Sequence, residues 1–179
     1  MTLVALRHLP TAWNRDGRLQ GRADIPIITP DAGLQQIITQ NRHQLDAGGQ
    51  FAAICCSTLQ RTQQTATAYG YADAQPEPLL DEFDFGSFEG KLREELLSVR
   101  GTEWLETPQT LELGEKMTDL EKRIRQFLVR YRSHGRVLIF GHGCWLRGLI
   151  SLQQRGDMSA TNRVTLAEHQ ILRFDFPGA

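Results

Sequence analysis

Three short apolar runs, each ending where a cation or a histidine begins, constrain the fold of this chain more than any other feature. Leu3-Val4-Ala5-Leu6 stops at Arg7-His8, Phe51 to Cys56 stops before the segment Ser57 to Arg61, and Val137-Leu138-Ile139-Phe140 stops at Gly141-His142-Gly143. Apolar runs this short, bounded by breakers and without polar alternation, read as strands buried on both faces of a parallel sheet. Helical stretches lie between them. Asp31 is placed to cap a helix with Leu34, Ile37, Ile38 and Leu45 on its apolar face, ended by Gly48-Gly49. Ser57 or Thr58 is placed to cap the next helix, which runs to about Tyr69 before Gly70. Thr118 opens a long helix through Leu120, Ile124, Phe127, Leu128 and Tyr131, and another follows Gly143 through Leu146, Leu149 and Ile150. Thr11 to Pro30 reads as loop, and Gln170 to Phe176 as a final edge strand. Strand–helix alternation of this kind predicts a three-layer α/β/α sandwich on a mostly parallel central sheet, with 3–8, 52–57 and 136–141 as its central strands.

At 179 residues the chain suits one domain, 1–179, with a sizeable core. The stretch from about Asp73 to Glu115 is less regular, with a short helix around Leu92 to Val99, and residues 86–116 are expected to form a cap over the site. With 20 basic and 21 acidic side chains the net charge is −1, so no nucleic-acid partner is implied and phosphate chemistry must rely on a few placed arginines. The longest apolar runs fall far below the roughly 20 residues that span a bilayer, so no membrane association is expected. No signal peptide is visible and the three cysteines form no disulfide pattern, which makes the cytoplasm the expected compartment. Oligomeric state is not legible.

The three charged motifs share one property: each follows a strand and precedes a loop or helix. In a parallel sheet the strand C-termini lie along one edge, where ligands bind. Arg7, His8, Arg61 and His142 are therefore candidates for a single site. Neutral imidazole attacks phosphorus well, and nearby arginines disfavour imidazolium, so His8 suits a nucleophile. Arg7 and Arg61 suit bidentate recognition of a phosphoryl group. His142 and the Gly143 amide at a helix start add donors, and Glu82 is a candidate to protonate a leaving oxygen and then activate water.

Five blocks, in order from about residue 3 to 150, resemble the histidine phosphatase superfamily, the phosphoglycerate-mutase-like proteins. They are Leu6-Arg7-His8 with Thr11, Trp13 and Asn14; Leu19-Gln20-Gly21 with Asp24 and Pro26; Ser57 to Ala66; Leu80 to Gly90; and Val137 to His142 with Gly143 and Arg147. The resemblance implies that His8 accepts the phosphoryl group, that Arg7, Arg61 and His142 hold it, and that Glu82 is the proton donor. It places Asn14 near the phosphate with Thr11 beside it, and implies neither a metal nor another cofactor. The expected activity is hydrolysis of a small phosphorylated metabolite through phospho-His8.

Departures from the family pattern shape the alternatives. Leu9-Pro10 stands where the family usually has glycine followed by Glu or Gln, a bulkier loop that keeps a non-catalytic phosphate-binding regulator in view. Phe85 replaces the tyrosine of mutases, no paired-arginine clamp is found, and the connection from Glu82 to His142 is short, so a phosphatase fits better than a mutase-like phosphotransferase. Cys55 and Arg61 also satisfy the spacing of tyrosine-phosphatase loops, but Cys56 to Gln60 contains no glycine to wrap amides around phosphate. Trp13 and Trp104 read as packing residues, and His43, His134 and His169 as exposed. The cap's mixture of Glu103, Glu106, Glu112 and Glu115 with few cations argues against a multiply phosphorylated substrate. Sugar phosphates, a nucleotide-like phosphate and phosphohistidine on a protein remain open.

Overall fold

The computed structural model describes residues 1–177. Five strands form one sheet in the order β3-β2-β4-β1-β5: β1 Thr2–Arg7, β2 Ala53–Cys56, β3 Gln75–Pro76, β4 Arg136–Gly141 and β5 Leu172–Asp175. The first four are mutually parallel, and β5 pairs antiparallel with β1 at the edge. Alternation along the strands sorts the core into two layers. Leu3, Ala5, Cys55, Val137 and Ile139 face α5 (Met117–Tyr131) and α6 (Gly143–Arg155), among Leu120, Ile124, Phe127, Trp145 and Leu149. Val4, Leu6, Cys56, Leu138 and Phe140 face the opposite side, among Ile38 and Leu45 of α2 (Ala32–Ala47) and Ala66 of α3 (Gln60–Ala68). The three-layer sandwich on a mostly parallel sheet is thus the observed architecture. Among the described residues no helix is long and apolar enough to cross a membrane.

Several boundaries move for identifiable reasons. β1 stops at Arg7, so His8 lies just past the strand, and β2 begins at Ala53 and ends at Cys56. Neither Ser57 nor Thr58 caps α3. Its N-cap is Leu59, without a side-chain cap of its own, and Asp24 from a distant loop accepts the Gln60 N–H at 2.7 Å instead. Within the expected Thr11–Pro30 loop sits a short helix, α1 (Ala12–Arg15), closed by reciprocal bonds between Thr11 and Asn14. The helix near Leu92 is longer than its sequence pattern indicates: α4 spans Arg93–Glu106 with a kink at Arg100. Ile37 is exposed, so Ile38 and Leu45 carry the buried face of α2.

The segment between α3 and α4 is irregular, yet it is fixed by side chains rather than by a ladder. Asp81 accepts the Thr58 N–H at 2.8 Å and pairs with Arg22 at 2.8 Å. Arg123 of α5 donates to the carbonyls of Leu79 (3.1 Å) and Asp81 (2.8 Å) and pairs with Glu115 at 2.8 Å. This guanidinium links α5, the end of the cap and the segment carrying Glu82. Both partners of the Arg123–Glu115 pair are largely withdrawn from solvent, at 16% and 12% exposure. Removing Arg123 leaves Glu115 with only the more distant Arg22, at 3.8 Å, and leaves two carbonyls without their donor, which costs about 1–3 kcal/mol. Arg123→Met is expected to lower the urea midpoint by a corresponding amount, whereas an effect below about 0.5 kcal/mol, typical of an exposed residue, would show that the link is inconsequential.

Candidate active site

β4 lies between β1 and β2, and the register sets Arg7 beside Gly141 and Cys56 beside Phe140. The residues after these strands therefore emerge together at one sheet edge. A cleft of about 310 Å³ opens there, lined by Arg7, His8, Asn14, Arg61, Glu82 and Gly143 together with residues of the cap and the C-terminal segment. Of the anticipated residues, His8, Thr11, Arg61, Glu82 and His142 are buried polar groups, so each needs a partner to offset its lost hydration.

His8 is held by its neighbour. Its Nδ1 lies 2.8 Å from the Leu9 carbonyl oxygen, which can only accept, so Nδ1 carries the proton and Nε2 keeps a free lone pair. Burial, then Arg7 and Arg61, hold its pKa well below the ordinary 6.5, so the ring is neutral. The Leu9 N–H in turn donates to Thr65 Oγ1 at 2.9 Å, and that hydroxyl donates to the Arg61 carbonyl at 2.6 Å. The unusual Leu9-Pro10 pair is accommodated by this arrangement. The Leu9 side chain is 1% exposed and packs into the layer with Val4 and Leu6, away from the cleft, while Pro10 lines it.

Arg61 is fully buried without a carboxylate in contact among the described residues. Its Nη1 and Nη2 donate to the Ala23 (2.8 Å) and Gly21 (2.7 Å) carbonyls, and its Nε to His142 Nδ1 at 3.2 Å. Burial lowers its pKa to about 10, opposed by Glu82, Asp24 and Glu89. Gly21 has φ +53°, and a Cβ there would strike the Glu89 carboxylate, so only glycine brings this carbonyl to Arg61.

His142 stands behind Arg61 and does not line the cleft. Because Nδ1 accepts from Arg61, Nε2 carries the proton and donates to Ser57 Oγ at 2.7 Å. Ser57 Oγ lies 2.8 Å from Thr62 Oγ1, which donates to the Leu59 carbonyl, so the chain of donors is closed. Burial first, then Arg61, His8 and Arg7, hold His142 neutral as well. Ser57, read in the sequence as a helix cap, is instead the partner that fixes this tautomer.

Glu82 sits at the start of α6. Its Oε1 accepts the amides of Phe83 (3.0 Å) and Trp145 (3.1 Å), and its Oε2 the amide of Cys144 (3.0 Å). It thus takes two of the first three helix amides and leaves that of Gly143. Arg7 has its Nε buried without a partner, and its pKa is lowered by burial and by Arg147, with Glu82 and Glu168 acting the other way. A Cβ on Gly143 would lie 3.3 Å from Arg147 Nη1 and 3.5 Å from Arg7 Nε, so both guanidiniums lie against the helix start.

The remaining candidates divide. Asn14 lines the cleft, but its Oδ1 accepts from Thr11, and Thr11 is fully buried in the cap of α1 and does not line it. Cys55 lies in the core against Tyr131, with its thiol pKa raised by burial, and takes no part in the cleft. Trp104 packs as expected, yet it also lines the cleft with Phe85 and Arg93. The cap's carboxylates are directed elsewhere, since Glu103 pairs with Arg100, Glu112 with Lys116 and Glu115 with Arg123. His134 and His169 are half-buried, against the exposure expected, and His169 with Glu168 reaches the cleft from a segment that carried no motif.

Comparison with known proteins agrees with this architecture. The model of the histidine phosphatase superfamily (branch 1) matches residues 3–179. The chain belongs to that superfamily, whose members are phosphatases or phosphotransferases of the mutase type. Among curated relatives, the probable phosphoglycerate mutase GpmB of Enterobacter sp. (strain 638) is 28% identical over 98% of this chain and 85% of its own length. Among solved structures, TTHB049 of Thermus thermophilus is 26% identical with a TM-score of 0.74, covering 99% of this chain and 95% of that one. The alpha-ribazole phosphatase of Shigella flexneri shares the fold, with a TM-score of 0.79 at 24% identity over 99% and 91% of the two chains.

Two outcomes follow from the site's geometry. Leu9→Gly removes a fully buried side chain and is expected to cost about 3–5 kcal/mol in a denaturant titration. It should give no gain in kcat/KM per folded molecule, because Leu9 does not restrict the cleft. The second concerns pH. In the unfolded chain His8 and His142 take up protons near pH 6.5, while in the folded chain both stay neutral well below it. The unfolded state therefore binds more protons below pH 6.5, and stability present above that pH is lost as pH falls through it, by at most about 1.4 kcal/mol per unit for each histidine. Urea midpoints between pH 7.5 and 5 should show this slope, and His142→Asn should flatten it.

Proposed function

We propose that this chain hydrolyses a small phosphomonoester through a phosphoryl intermediate on His8. The observation that carries the reading is the His8 tautomer: Nδ1–H is committed to the Leu9 carbonyl, which leaves Nε2 unprotonated in a cleft lined by Arg7, Arg61 and Glu82. In the first step Nε2 forms a bond to phosphorus as the P–O bond to the leaving group breaks, and Glu82 supplies the proton that the leaving oxygen needs. In the second, water attacks the phosphorus of phospho-His8, Glu82 takes its proton, the P–N bond breaks, and phosphate leaves. Arg7, Arg61 and the Gly143 amide stabilise the charge on the non-bridging oxygens. Asn14 lines the phosphoryl end of the cleft, and Thr11 supports Asn14. His142 acts through Arg61, whose guanidinium it orients.

The name of the curated relative favours a second reading, in which the phosphoryl group passes from His8 to an alcohol rather than to water. The first half-reaction is common to both. Leu9 packs outside the cleft and only Pro10 of the pair lines it, which supports the catalytic reading over a non-catalytic regulator.

Rapid quench with a phosphomonoester should trap acid-labile phosphate on His8, and His8→Ala should abolish both the label and turnover. Full activity of His8→Ala would sink the reading. Glu82→Gln should lower kcat about 10²–10⁴-fold with little change in phosphate binding, since proton transfer acts in the transition state. Release of inorganic phosphate in the absence of an added acceptor separates hydrolysis from transfer.

A further inference from the structure

Residues 164–171 lead to β5 and bring Glu168 and His169 to the cleft, and no motif or catalytic step accounts for what they place there. Glu168 and His169 line the same cavity as Arg7, His8 and Arg147. His169 is the one non-glycine residue with a positive φ, 57°, among the described residues. That conformation costs an L-residue about 1–3 kcal/mol and persists only where its surroundings impose it. Here the surroundings are specific. Asn41, buried on the inward face of α2, donates its Nδ2 to the His169 carbonyl at 2.7 Å and to Tyr69 Oη at 3.1 Å. On either side of the bend, Leu166 packs against one core layer and Ile171 against the other. The segment is thus fixed before and after Glu168.

The cleft is lined by two carboxylates, and they differ in one respect. Glu82 accepts three amide N–H groups. Glu168 is exposed, and no hydrogen bond or ion pair engages its side chain among the described residues, although its charge acts on Arg7. With the phosphoryl group on His8, Arg7 and Arg61 at the cleft floor, the leaving group extends toward the mouth, where Glu168 stands as a free acceptor.

We propose that Glu168 is a specificity-determining residue for the leaving group: it favours phosphomonoesters whose alcohol portion carries hydroxyl or amine donors and disfavours those bearing a second anionic group. This rests on the phosphomonoester reading above. Arg18, Arg93 and Arg147 also line the cleft and pull in the opposite sense, so the contribution of Glu168 is a change in preference rather than an absolute one.

The test is a matched pair that differs only by a hydroxymethyl and a carboxylate group, glycerol 3-phosphate and 3-phosphoglycerate. The quantity read is the ratio of their kcat/KM values at low ionic strength. For partly solvated charges sharing one cleft, loss of the carboxylate should shift that ratio about three- to tenfold toward 3-phosphoglycerate in Glu168→Gln. Glu168→Lys should shift it further, and raised salt should reduce both shifts. Asn41→Ser, which frees the bend while keeping the carboxylate, should shift the ratio in the same direction. A ratio unchanged within twofold in both Glu168 variants overturns the proposal and leaves the phosphomonoester reading intact. If the wild type turns over neither compound, that reading is in question. The same ratio is then taken from Kd values on His8→Ala with and without Glu168→Gln, and equal ratios there also overturn the proposal.

Discussion

A guanidinium buried without a carboxylate in contact is the feature on which the rest of this site depends. Arg61 is fully withdrawn from solvent, and its hydrogen bonds go to two carbonyls and an imidazole, all neutral acceptors. Desolvating a cation in this way is unfavourable unless its surroundings are polar and fixed. The structure meets that condition with the Gly21 and Ala23 carbonyls, and with a histidine whose tautomer Ser57 sets. Three distant parts of the chain are thereby committed to one charge. An anion entering the cleft then meets positive groups that have already been oriented, with no reorganisation left to make.

Order around His8 and Arg61 is transmitted outward through backbone carbonyls and hydroxyls, while ion pairs fix the segment carrying Glu82. Thr65 holds the Leu9 amide and the Arg61 carbonyl, so the nucleophile's loop and the second arginine share one hydroxyl. Asp24 caps α3 from outside while the same loop supplies acceptors to Arg61. Arg123 ties the Glu82 segment to α5 and to the end of the cap. Each link replaces flexibility with a hydrogen bond that a buried backbone group would otherwise lack. The position of Glu82 consequently depends on the packing of α5, which does not line the cleft, and that of His8 on α3, which also carries Arg61.

Membership of the histidine phosphatase superfamily and the chemistry of the cleft agree on the class of reaction, and they constrain the substrate differently. On the proposed reading, the phosphoryl end is built from side chains present in the motifs. The leaving-group end then combines the motif residues Phe85 and Arg147 with Arg93, Trp104, Glu168 and His169, which lie outside the motifs. Substrate choice on that reading depends in part on elements that the motifs do not define.

Strand positions, the parallel sheet and the convergence of Arg7, His8 and Arg61 were legible because each rests on local pattern, whereas Glu82 was placed only by the family resemblance. Apolar runs mark buried strands, and strand C-termini share an edge whatever the loops do. What the sequence could not show depends on groups brought together from afar. Ser57 looked like a helix cap because its neighbours form a helix, but its hydroxyl is used by His142, 85 residues away. Leu9 looked like an obstruction at the site because it follows the nucleophile. Tertiary packing turns its side chain into the core, since a fully buried leucine is more stable there than at a polar cleft. The cap's glutamates looked like lining because they are many and near, yet each ion pair that forms draws one away, and only the folded chain decides which side chains are close enough to pair. The sequence by itself determined which candidate groups would gather at one sheet edge, because apolar runs mark the strands and strand ends fix where the chain emerges. The tertiary structure alone decided which protons those groups hold and what surrounds the leaving group, because both are set by contacts between residues far apart in the chain.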